Sequence, residues 1–389
     1  MSDVILEFKE KVGSSDYLEV HLLFDLHFKK KVGSLRKDRL IVLQDSLVTL
    51  LNNFEKRPTK HNLKKLAKLG RVAYQEFRKS FEQNGGNSYL KSWDSRFTTL
   101  PPNESKDLFR IQKVGVKFPK GFTFPISLYF LKDIEKFDWQ RDNITSIFDY
   151  FLGSRFRIYY QSDIEQPDPR MYLKDSRDET TNVIHVIDES LNTQMEEDAW
   201  KLDRTIDFNV DDPRVYKKKQ LFEKWFDGKP PHLIHFSNHL KYHKDSLSYA
   251  LTLSKNEVIL GSEIAGKLTT EKKPLVFFNN CESGISHFDE GNFIEELYPN
   301  YSIGFVATLF KVKNSNASFF AKEFYRYFIE RGYSIIESLH KAKDVVTSDE
   351  KRFFSSIGYI LWEIHPELTF SKHEPIKKPV KKKLRKNGK

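Results

Sequence analysis

Two kinds of hydrophobic pattern divide the chain. In the first part, apolar residues recur at helical steps. Leu40, Leu43, Leu47, Leu50 and Phe54 fall on one stripe, and Pro58 interrupts it. A second stripe runs through Leu63, Leu66, Ala73, Phe77 and Phe81 and stops at Asn84-Gly85-Gly86. The spacing predicts a helical region over residues 1 to about 57 and a further helical entry over 58–100, a hairpin burying its own apolar faces. The connector TTLPPNESK at 98–106 follows.

Beyond it the stripes give way to short β-rich runs. Candidate strands are 126–131, 155–160, 183–187, 233–237, 275–279 and 303–309. Several are continuous apolar runs, as expected of strands covered on both faces. Candidate helices lie between them at 142–151, 191–202, 215–226, 261–268 and 317–331. This alternation predicts an α/β fold, a mainly parallel sheet with helices on both sides over 101–370. In such sheets active sites lie beyond the carboxyl ends of strands.

Two segments place a reactive side chain at such an end. In PHLIHFSNHLKYH the apolar run closes at Ser237 and His239 follows. In PLVFFNNCESG the run closes at Asn279, and Cys281 follows. The 42 positions from His239 to Cys281 hold one ribbon and one helix, enough to bring neighbouring parallel strands level. A free thiol, with a pKa near 8.5, is only a few per cent thiolate at neutral pH. An adjacent imidazole can take its proton, hold the ion pair and later protonate a leaving amine. Backbone N–H groups of Leu240 and Cys281 are candidate oxyanion donors.

Duller readings stand beside this one. A lone Cys at the end of a buried strand is most often a small core residue. His235, which alternation points away from its strand neighbours, reads as structural. The spacing of His235, His239 and His243 would suit zinc on a helix, but the segment reads as strand then loop and lacks the acid of a HExxH site. No metal and no cofactor is expected.

Composition changes the picture little. A formal charge of +10 includes eight Lys or Arg in the tail KKPVKKKLRKNGK, so the rest carries 10 − 8, about +2. The tail, 371–389, reads as a solvated end with at most weak, salt-sensitive contact with nucleic acid. One Cys among 389 residues suits a reducing compartment. No long apolar run points to a membrane span and the charged N-terminus lacks signal-peptide character, so a cytoplasmic protein is expected.

The residues resemble the CHAT domain, a relative of caspases and separase among cysteine peptidases. HLIHFSNHL resembles the family's His-Phe-Ala-Gly-His-Gly motif, which implies His239 as catalytic histidine; FFNNCESG resembles Asn-Ala-Cys-Glu-Ser-Gly, which implies Cys281 as nucleophile. FPISLYF at 124–130, FLGSRFRI at 151–158, the ribbon and helix at 251–268 and the segment 302–343 resemble the family's other elements. Together the resemblance spans about residues 60 to 368. It implies a caspase-like α/β/α sandwich over 58–370, and a regulated endopeptidase cutting a specific partner protein. It also implies bacterial antiviral defence or cell death, with gating by a partner protein or a nucleic-acid-sensing complex. Asn314 stands where relatives carry a basic-P1-binding Asp, and with Glu282 and Asn280 makes a candidate substrate pocket. Leu240 replaces the Gly after the histidine. These departures leave a non-catalytic interaction scaffold as the alternative.

Overall fold

The computed structural model describes residues 4–24, 28–83, 113–119, 122–139, 143–161, 172–174, 181–188, 190–191, 214–227, 230–243, 245, 248–254, 256–265, 267, 273–280, 293–297, 302–349, 357–363 and 368–371. Cys281, Glu282, the tail beyond Ser371 and nearly all of the helix expected over 191–202 lie outside these residues.

Residues 4–24 and 28–36 are not helical. They form β1 (Val4–Lys11), β2 (Ser14–Phe24) and β3 (Phe28–Arg36), an antiparallel meander. The physical reason is a period of two: Leu6 and Phe8 on β1 and Leu18, Val20 and Leu22 on β2 are buried at alternate positions in one core. Gly13 turns the first hairpin at φ +83°, where a side chain would be strained. The helical stripe that begins at Leu40 belongs to α1 (Lys37–Lys56), followed by α2 (Lys60–Gln83). The pair does not merely bury its own faces. Leu47, Leu51, Phe54, Leu66, Phe77 and Phe81 share one core with the strands of the meander. The packing is close: a Cβ on Gly33 of β3 would stand 2.5 Å from Ser80 Oγ of α2.

The remaining strands of the large sheet are β4 (Lys113–Lys117), β5 (Arg157–Gln161), β7 (Val183–Ile187), β8 (Arg214–Val215), β9 (Leu233–Ser237), β13 (Leu275–Phe278), β14 (Gly304–Thr308) and β15 (Tyr359–Glu363). They assemble in the order β3-β2-β1-β4-β5-β15-β14-β13-β9-β7-β8. Seven of the ten pairings are parallel; β1/β2, β2/β3 and β14/β15 are antiparallel. A separate ribbon, β10 (His239–His243), β11 (Ser248–Ser254) and β12 (Glu257–Leu260), leaves the sheet after β9. A small pair, β6 (Tyr172–Lys174) and β16 (Thr369–Ser371), completes the strands described.

Both faces of the sheet are covered. Leu233, Leu275, Phe277, Val306 and Tyr359 pack under α3 (Asn314–Tyr325) and α4 (Ile335–Ser348), burying Phe320, Phe324, Ile336 and Leu339. Ile234, Phe236, Val276, Phe278 and Phe305 face the opposite layer with Leu221, Trp225, Ile264 and Phe293. This is a three-layer α/β/α arrangement. The segment expected as a strand over 126–131 is instead a tight 3-10 turn, Ile126–Leu128, with a single bridge from Phe130 to Phe151. The Leu128 N–H closes onto the carbonyl of Pro125, which coils the chain locally. The helix expected over 142–151 contracts to Ile144–Phe148, and that over 215–226 to Lys218–Phe222 continued by a π-turn.

Candidate functional site

The two strands that carry the candidate chemistry are immediate neighbours. β9 and β13 run parallel in register from Leu233↔Leu275 to Phe236↔Phe278. Their carboxyl ends therefore leave the sheet at one level and on one edge, and the tip of β14 joins them there. The ladder closes with the Asn279 N–H donating to the Phe236 carbonyl at 2.9 Å.

Side chains then continue what the backbone ladder began. The Asn280 amide Nδ2 donates to the carbonyl of Asn238 at 2.9 Å. One partner directly precedes Cys281 and the other directly precedes His239. Asn238 in turn donates from Nδ2 to the Thr252 carbonyl of β11, 2.8 Å away, tying the β9 tip to the ribbon. The Thr308 hydroxyl of β14 donates to the Asn280 carbonyl. The Tyr359 hydroxyl of β15 meets Asn279 Oδ1 at 2.6 Å. Asn238 and Asn280 are almost fully buried, so these amide bonds lie in a low-dielectric setting.

His239 itself is exposed, as the first residue of β10, opposite Thr252. Leu240 is half-buried opposite Leu251 and packs on the core. Asn280 lies beneath the tips with its amide turned to Asn238. Asn314, half-buried, opens α3 just beyond β14, at the same end of the sheet. Cys281 and Glu282 fall outside the described residues, so the structure brings together the chain that leads to the thiol, not the thiol itself.

His235 belongs to a different layer. It is fully buried, its Nδ1 2.8 Å from the Tyr325 hydroxyl of α3, its ring stacked on Phe277. Opposite it on β7, His185 holds Nε2 3.0 Å from Ser237 Oγ. The four-residue spacing of His235, His239 and His243 thus falls across two strands and makes no helical face. Among the described residues no group of three His, Cys, Asp or Glu is arranged to hold a metal ion. Sequence reasoning missed Asn238, Thr308, Tyr359 and His185. The available signal was polarity at strand tips: Asn238 and Asn280 stand where the motifs quoted above carry Gly and Ala.

Comparison with known proteins gives a family match that spans the strands β9 and β13. Residues 211–362, less than half of the chain, match the family model described as the CHAT domain. No curated protein matches the chain. Among solved structures, a chain titled only as a protease aligns at 8% identity and a TM-score of 0.43, with 66% of this chain and 64% of the other covered. The Saccharomyces cerevisiae separase–securin complex aligns at 10% identity and 0.48, covering 92% and 30%. The Arg-specific cysteine proteinase gingipain R aligns at 11% and 0.42, covering 69% and 66%. The chain thus spans less than two thirds of the length of each of these structures. The matched residues run from β8 into β15, so the part of the wider α/β sheet that carries the candidate site is similar to the CHAT domain.

Proposed function

We propose that this protein is a cysteine endopeptidase in which Cys281 attacks the carbonyl carbon of a peptide bond and His239 handles the proton. The thiol proton passes to the imidazole, and the sulfur–carbon bond forms as the oxyanion develops against the N–H groups of Leu240 and Cys281. The imidazolium then gives its proton to the departing amine as the carbon–nitrogen bond breaks. Water, deprotonated by the same imidazole, hydrolyses the thioester and restores the thiol. Asn314, Glu282 and Asn280 border the substrate pocket, and the substrate is a specific partner protein in a bacterial defence or cell-death setting.

One observation carries the reading: the 2.9 Å bond from Asn280 to Asn238, which joins the residues directly before nucleophile and base. A non-catalytic scaffold is the second reading. It is favoured by Leu240, whose N–H the first reading needs, standing in strand β10 opposite Leu251 instead of in an open turn.

The single cysteine makes the test clean. Carboxamidomethylation by iodoacetamide, followed against pH, reads the ionisation of one thiol. A dyad gives a midpoint well below the free-thiol value of about 8.5, and His239→Ala returns it there. Identical profiles for the two proteins favour the scaffold.

A further inference from the structure

The buried amides at the sheet's carboxyl edge form a continuous strap. It runs from the Thr252 carbonyl of β11 to Asn238, from Asn238 to Asn280, and from Asn280 to Thr308 of β14. A side branch joins Asn279 to Tyr359 of β15. The strap crosses where the main-chain ladder between β9 and β13 has ended, so side chains there set how the two tips sit relative to one another. A carbonyl buried as deeply as that of Asn238 is costly to leave without its donor, and this opposes sliding of one tip past the other.

We infer that Asn280 is a positioning residue: with its main-chain carbonyl held by the Thr308 hydroxyl, its side-chain amide grips the Asn238 carbonyl and fixes His239 against the chain leaving β13. The inference rests on the dyad reading above and extends it to a residue that never touches the reacting atoms. A bond between nucleophile and base tolerates little displacement, and a misplacement of about 1 Å is enough to lose most of the benefit. The fold therefore assigns to side-chain amides what the backbone can no longer do.

The alkylation profile of Cys281 tests this in the full chain with four proteins: wild type, Asn280→Ala, His239→Ala and the double variant. Asn280→Ala is expected to move the thiol midpoint upward by about one pH unit, which at any pH well below both midpoints is about a tenfold slower reaction. In the His239→Ala background the same substitution is expected to change nothing further, because Asn280 acts through the imidazole. A lower melting temperature with an unmoved profile means that Asn280 is merely structural and overturns the inference while leaving the dyad standing. A His239→Ala profile that matches wild type removes the dyad, and the inference with it. Should Asn280→Ala fail to fold, Thr308→Val loosens the same strap from β14 with almost no change of volume. It is then expected to produce the upward shift, and an unmoved midpoint in that variant overturns the inference equally.

Discussion

Lys343 is an ammonium where the core would hold a methyl group. It lies on the buried face of α4 with Leu339, Ala342 and Val346, only 8% exposed. Burial pushes its pKa down to about 8 from an ordinary value near 10.5. With the folded value below the unfolded one, unfolding takes up a proton between those two pH values, and stability rises with pH across that window. At pH 7 the buried charge costs about 3 kcal/mol. Lys343→Met is therefore expected to raise the urea midpoint at pH 7, by about 1–3 kcal/mol of stability, and to flatten the rise between pH 8 and 10.5. Wild-type and variant curves that stay parallel over that range contradict the assignment. Nothing in the residue pattern marked this lysine, because a helical stripe read from sequence cannot distinguish a lysine that snorkels to water from one that is enclosed. The catalytic candidates were more legible: His239 and Cys281 each follow an apolar run that ends in polar residues.

At the scale of elements, legibility followed locality. β9 lies at the residues its apolar run indicated, and β13 within one residue of them, because unbroken runs buried on both faces need no partner to be recognised. The meander β1–β3 was hidden in a different way. β2 alternates openly, but β3 reads Phe-Lys-Lys-Lys-Val-Gly-Ser-Leu-Arg, and only its place at the sheet edge explains those charges. Their partners lie on the other strands of the meander: Lys31 pairs with Glu19 of the adjacent β2, and Lys29 reaches past β2 to Glu7 of β1, which also pairs at 3.3 Å with Lys9 of its own strand. Burial pushes the Glu7 carboxyl up, and the two ammoniums outweigh it, so the group titrates below its ordinary range. A depressed carboxyl contributes stability above its unfolded pKa and loses it as pH falls through the folded one. Glu7→Gln should cost about 1–2 kcal/mol at pH 7, and the two proteins should converge only as pH falls below about 4. Chemical denaturation at pH 7 and pH 3 checks this; a deficit of equal size at both contradicts the pairing.

The whole molecule shows why strand order could not be read from the chain. β15, near the C-terminal end of the described residues, returns to sit between β14 and β5 and joins the half of the sheet that carries the candidate site to the N-terminal half. Such pairings are set by distant partners and leave no local signature. The N-terminal half also reaches toward the site, where the Lys311 N–H, between β14 and α3, donates to Asn52 Oδ1 of α1 at 3.0 Å. One sheet thus carries the candidate cleft and the helices that flank its rim. The most direct measurement of what that cleft does is to incubate the full chain with a library of proteome-derived peptides and read new N-termini by mass spectrometry, beside Cys281→Ala. Cuts with a shared residue preference, all missing from the variant, are the expected result; the same termini from both proteins, or none from either, would contradict peptide hydrolysis at Cys281.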